Sequence, residues 1–282
     1  MTPLARTLLA VFLMAATALA APQPPAAQAA APAQAPPDAV AAAEALPTAT
    51  EILDRYVEAL GGEAAIRRHR YATWTGKFSM PGQGLEGDLM LKASAPNLFR
   101  LDITAEGIGE ISQGYDGKVG WGDNMMTGPT LMKDGELELL AIQSDFYVDL
   151  NYAKHYPTIE VVERATFDGE PCWKVALRTA GGLETFSYFS TVSGLLVGNE
   201  GDLPTSMGDV FVKVSIGGYR EFDGRLYPTE NRQEVMGTQQ VITLHEPDFT
   251  EIDPSVFELP PAIRTLADGA RPETPAGAQQ PR

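Results

Sequence analysis

Three histidines, one cysteine and 37 carboxylates are the side chains of this 282-residue chain that offer the most chemistry. His69, His155 and His245 lie far apart in the sequence. None stands at metal-ligand spacing from another histidine or from Cys172, and there is no H-E-x-x-H or H-x-H. Cys172 sits between Pro171 and Trp173 in an apolar stretch, where a thiol serves as a small buried hydrophobe rather than a nucleophile. No G-x-S-x-G elbow, Gly-rich phosphate loop or S-x-x-K is present. Asp116-Gly117, Asp168-Gly169 and Asp223-Gly224 could bring three aspartates to one cation. Asp-Gly between apolar runs is the type I′ hairpin signal, however, and accounts for them without a metal. The expectation is a chain with no catalytic residue, no metal and no cofactor. A hydrolase built from scattered carboxylates is the weakest of its readings.

Apolar residues carry more of the signal. Met125, Met126, Leu131 and Met132 cluster in one stretch, and Met207 lies in another between glycine and proline. The flexible thioether adapts to irregular apolar partners. Such residues either receive a hydrophobic ligand or plug the chain's own core.

The elements that would position these residues follow from periodicity. Thr48 and Glu51 have capping-box spacing, and Ile52, Leu53, Tyr56, Val57 and Leu60 then fall on one helical face before Gly61-Gly62. A second short turn fits residues 63–68. From Tyr71 the period becomes two: Trp74, Phe78 and Met80, then Leu89 and Leu91, then Phe99, Leu101 and Ile103 alternate with polar neighbours. Further strands are expected at residues 159–165, 173–179, 185–189, 195–199, 210–216, 226–234 and 240–244, with turn residues between them. About eleven strands result. Between Gly120 and Tyr156 the alternation breaks, a loop fits residues 123–129 and a helical pattern covers 136–146. An insertion of this length in a β domain is often a lid or a binding loop.

The ends of the chain speak of export. Arg6, an apolar run from Leu8 to Ala16 and Ala18-Leu19-Ala20 form a signal peptide over residues 1–20. Residues 21–46 are an Ala/Pro-rich linker, 47–266 the folded domain and 267–282 a polar tail. No cysteine stands near the cleavage site, so the mature protein is expected in the periplasm and not as a lipoprotein. It is also expected to carry no transmembrane segment. A net charge of −16 disfavours nucleic acid and anionic lipid headgroups as partners.

A resemblance adds to this. Ala59 to Gly62, Thr75-Gly76, Ala95-Pro96-Asn97, residues 113–117 with Gly120-Trp121, Gly128-Pro129, residues 219–224 with Tyr227-Pro228-Thr229, and residues 257–260 occur in one order. The chain resembles exported bacterial proteins grouped with the outer-membrane lipoprotein-sorting (LolA/LolB-like) superfamily over residues 48–261. That resemblance implies a mainly β (α+β) fold, an open antiparallel β-barrel of about eleven strands with one or two helices over its mouth. It also implies a hydrophobic cavity accepting a lipid or acyl chain. Trp74, Phe78, Leu91, Phe99, Leu101, Trp121, Met125 and Met126 would bind it. The arginine latch of the superfamily's chaperones has no evident counterpart in the sequence. The function expected is a periplasmic, non-catalytic carrier or sensor of an apolar small molecule. The alternative is an envelope protein-interaction module whose partner is another envelope protein.

Overall fold

A computed structural model describes residues 45–205 and 208–269. The expected signal peptide, most of the linker, Met207 and the chain beyond residue 269 lie outside the described residues. Helix α1 (Ala49–Ala59) starts at the expected cap: the Thr48 hydroxyl accepts from the Glu51 N–H while the Glu51 carboxylate accepts from the Thr48 N–H. Its stripe buries Ile52 and Tyr56, with Leu60 at the C-cap. Each such side chain contributes about 1.5–3 kcal/mol when fully buried. A short helix α2 (Gly62–Ile66) follows.

Strands β1 (Tyr71–Met80), β2 (Leu85–Ser94), β3 (Leu98–Ala105), β4 (Gly109–Tyr115), β5 (Gly120–Asn124) and β6 (Thr130–Leu131) form an antiparallel meander. The insertion continues with α3 (Asp134–Ser144) and the single-turn helix α4 (Tyr152–His155). Then come β7 (Thr158–Phe167), β8 (Glu170–Arg178), β9 (Glu184–Ser190), β10 (Leu196–Leu203) and β11 (Val210–Gly217). A separate ribbon, β12 (Arg220–Phe222) and β13 (Arg225–Tyr227), precedes β14 (Glu230–Val235) and β15 (Thr238–Leu244). Helix α5 (Pro261–Gly269) ends the described chain.

The large sheet has 13 strands in the order β6-β5-β4-β3-β2-β1-β15-β14-β11-β10-β9-β8-β7. It is mainly β and antiparallel, as expected, but the expectation of an eleven-stranded barrel is corrected. Its edges β6 and β7 do not pair. The extra strands lie where alternation is weak. The stretch from Gly120, read as non-β, supplies β5 and β6, whose Gly120, Gly122 and Asp123 hide the period. Glycine serves packing there: a Cβ on Gly114 would fall 2.7 Å from the Trp121 ring, and one on Gly120 2.9 Å from Leu137 and Leu140 of α3. Residues 226–234, read as one strand, divide into β13 and β14 around Pro228, which has no N–H for a ladder.

Of the three Asp-Gly pairs read as hairpin turns, two make them. Asp168 and Asp223 have φ of 48° and each is followed by a glycine at positive φ. Asp116 instead turns the chain with its carboxylate, which accepts from the N–H groups of Lys118 and Val119. A further hairpin, Met236-Gly237 with φ of 49° and 75°, joins β14 to β15 without any Asx residue.

The inner face carries two apolar clusters. One centres on β1–β4 and β15; the other combines α1 with β8–β11. The insertion joins them. Leu140 and Phe146 belong to the first cluster, Leu139 and Tyr152 to the second, and Tyr147 packs against both. This explains why α3 lacks a single apolar stripe: consecutive residues face different half-cores.

A cleft beneath the insertion helix

Helix α3 is fixed at several points. The Glu138 carboxylate accepts from Thr179 Oγ1 at 2.9 Å and from the Gly181 N–H at 3.0 Å, which ties the helix to the β8–β9 turn. After the helix, Asp145 gathers four donors: the Tyr147 N–H, Asn151 Nδ2, Lys154 Nζ and His155 Nε2 at 2.7 Å. Burial alone pushes its carboxyl up, but hydrogen bonds, that of His155 first, hold it well below the usual carboxylate range. Further along, Asp149 accepts from Arg225 of β13 at 2.8 Å and from the Tyr56 hydroxyl of α1 at 3.0 Å. Arg225 and Asp149 are both nearly inaccessible, and the guanidinium also lies over the Tyr227 ring. Sequence gave no reason to single out Arg225, because the contact joins positions 76 residues apart.

Between α3 and the sheet lies a cleft of about 440 Å³, part of it open to solvent. The helix side supplies Leu139, Ile142 and Gln143, with Val148 and Tyr156 from the following loop. Leu177, Thr185, Ser187 and Asn199 form the sheet side. Its closed part has room for about one water. Register sets the polar floor: Asn199 of β10 stands opposite Ser187 of β9 on one side and Val214 of β11 on the other. Val214 in turn faces Gln233, and Gln233 faces Gln240. Ser187 Oγ donates to Asn199 Oδ1 at 2.7 Å, while Asn199 Nδ2 has no hydrogen-bond partner among the described residues.

None of these residues was expected at a site. β9 reads Thr-Phe-Ser-Tyr-Phe, with apolar side chains on both faces. Phe186 and Tyr188 join Phe167 and Cys172 in a small cluster on the opposite side, and only the fold reveals which face is inner.

The residues that were expected at a site fall into three places. Trp74, Leu91 and Leu101 stand directly opposite one another on β1, β2 and β3. With Phe78 and Phe99 they belong to the first inner cluster and are at most 1 % exposed. Trp121 does not join them. It faces Gly114, which faces Arg100, so it occupies the outer face of the sheet. There the Arg100 guanidinium lies over its ring and donates to the Val256 carbonyl of the C-terminal segment. Met125 and Met126 are exposed at 78 % and 59 %, in the turn between β5 and β6.

The groups weighed for catalysis are held apart. His69 stacks on Phe249 and bonds Asp223 at 3.0 Å; His155 bonds Asp145; His245 lies by Thr75. Cys172 is fully buried and its thiol is pushed up to about 11, chiefly by burial, so it is no nucleophile at neutral pH. Among the described residues no three His, Cys, Asp or Glu side chains are grouped to hold a metal ion. No helix among them is long and apolar enough to cross a membrane.

An open antiparallel sheet covers an inserted helix, with a cleft between them. The chain has the LolA-like fold. A LolA superfamily protein from Nitrosomonas europaea matches with a TM-score of 0.51 at 12 % identity, covering 76 % of this chain and 99 % of that one. A DUF1329 family protein from Desulfovibrio piger matches with a TM-score of 0.50 at 12 % identity, covering 74 % of this chain and 96 % of that one. No protein-family model and no curated protein matches the sequence.

Proposed function

We propose that the protein is a non-catalytic periplasmic carrier or sensor that receives a lipid-like ligand beneath α3. The observation that carries this reading is the cleft itself. An insertion helix bridges two apolar half-cores, is fastened by a few polar contacts, and leaves space between its Leu139–Ile142 side and the sheet. The space is too small for an acyl chain while α3 is seated. Release of the Glu138 clasp would let a chain enter between Leu139 and Ile142 of the helix and Leu177 of the sheet. Each methylene so buried adds about 0.8 kcal/mol, so a chain needs no charged anchor to bind. Met125 and Met126 are apolar and exposed on the hairpin that precedes α3 in sequence. The export signal read in the sequence supports the periplasmic setting.

Lipid extraction and mass spectrometry of protein purified from its own periplasm, together with uptake of a fluorescent acyl probe, test the reading. Recovery of one acyl-bearing species, and faster uptake by Glu138→Ala, are expected. Protein that is consistently empty and ignores acyl probes would overturn it. Crosslinking in intact cells to one stoichiometric protein, without lipid, would instead favour an interaction module.

A further inference from the structure

We infer that the ligand is an uncharged amphiphile whose carbonyl oxygen accepts a hydrogen bond from Asn199 Nδ2. This rests on the carrier reading and names the class of its ligand. Asn199 is 3 % exposed, its Oδ1 is engaged by Ser187, and its Nδ2 has no partner among the described residues. A buried amide N–H without an acceptor is costly, and a floor meant only for hydrocarbon would carry apolar side chains here. The polar character continues across the sheet, where Gln233 and Gln240 lie in the same cross-strand row and are both 4 % exposed.

The residues lining the cleft include no cation. A carboxylate or phosphate placed there would lose its hydration with nothing to compensate its charge. The carboxylate of Glu138 on α3 and the net charge of −16 disfavour an anion further. An ester or amide carbonyl meets the site differently. It is a neutral acceptor, it pairs with one amide donor, and the chain attached to it continues along Leu139, Ile142 and Leu177.

Three probes of one chain length separate these effects: a monoacylglycerol, the ether-linked monoalkylglycerol that lacks the carbonyl, and the fatty acid. Affinities are read by displacement of a polarity-sensitive fluorophore from the full-length mature protein at neutral pH. The monoacylglycerol should bind about fivefold tighter than the ether, the worth of one hydrogen bond, and at least about tenfold tighter than the ionised acid. In Asn199→Leu with Ser187→Ala, which removes both partners together, the ester and the ether should bind alike while the melting transition stays near that of the parent. The ratio between two ligands on one protein is insensitive to modest destabilisation, so it remains readable in that variant. Equal affinity of the parent for ester and ether, preference for the acid, or an ester preference that survives in the double variant would each overturn the inference and leave the carrier reading standing. If none of the three probes binds the parent, the carrier reading fails and this inference fails with it.

Discussion

At the scale of single residues, the insertion is held by charges that water does not reach. Replacing Arg225 by Met leaves Asp149 buried without its cation, and a loss of about 3–5 kcal/mol is expected in urea denaturation. Adding Asp149→Leu should recover most of it, because the stranded charge is then gone. Asp145 gives a pH signature. Its carboxyl is held below the ordinary range in the folded state, so its contribution is fully present above about pH 4 and lost as pH falls toward the folded value. In Asp145→Asn the stability curve should be flatter below about pH 4 than in the parent, by equilibrium unfolding at a series of pH values. Cys172 offers a simpler check: a thiol reagent at neutral pH should leave it untouched until the protein unfolds.

Elements differ in how firmly they are tied. The β5–β6 hairpin is secured mainly by local bonds of Asn124 to Met126 and Thr127, whereas β3 is paired on both sides and buries alternate residues. Hydrogen exchange should therefore be fastest, within the folded elements, around residues 124–128 and slow in β3. With both methionines exposed, Met125→Asp with Met126→Asp should change stability by no more than about 0.5 kcal/mol. Uptake of an acyl probe should nevertheless fall if these side chains admit the guest. The β14–β15 hairpin carries avoidable strain, since Met236 sits in the left-handed region beside Gly237. Met236→Asn, the preferred residue there, should stabilise the protein by about 1 kcal/mol in thermal or urea unfolding.

For the whole molecule, ligand and stability are linked. A ligand that binds only the folded protein at about a hundred times its dissociation constant adds about 2.7 kcal/mol. Saturation with a tight neutral amphiphile should raise the melting temperature and increase exchange protection at α3 and at β9–β10. Edges matter at this scale too. Helix α5 packs beside the short edge strand β6, while β7 carries a register shift at Val161/Glu163 and the charges Glu160, Glu163 and Arg164. Both devices discourage strand addition by another chain.

The sequence by itself determined whatever depends on neighbours along the chain. Thr48 and Glu51 specify a helix start, because the cap is made within four residues. The alternations through Trp74, Leu91 and Leu101 specify strands with one buried face, since the side-chain period of a strand is two. Asp168-Gly169 and Asp223-Gly224 specify tight turns through their tolerance of positive φ. Tertiary structure decided what depends on distant partners. Register put Trp121 on the outer face through its pairing with Gly114, and glycine-rich β5 became a strand through its ladder with β4, its Gly120 letting α3 pack close. Arg225 met Asp149 only once the ribbon and the insertion had folded together. Asn199, Ser187 and Gln143 became a cleft only when the inserted helix lay over β9 and β10: an inward direction on a strand with apolar side chains on both faces exists only after the sheet has curved around something.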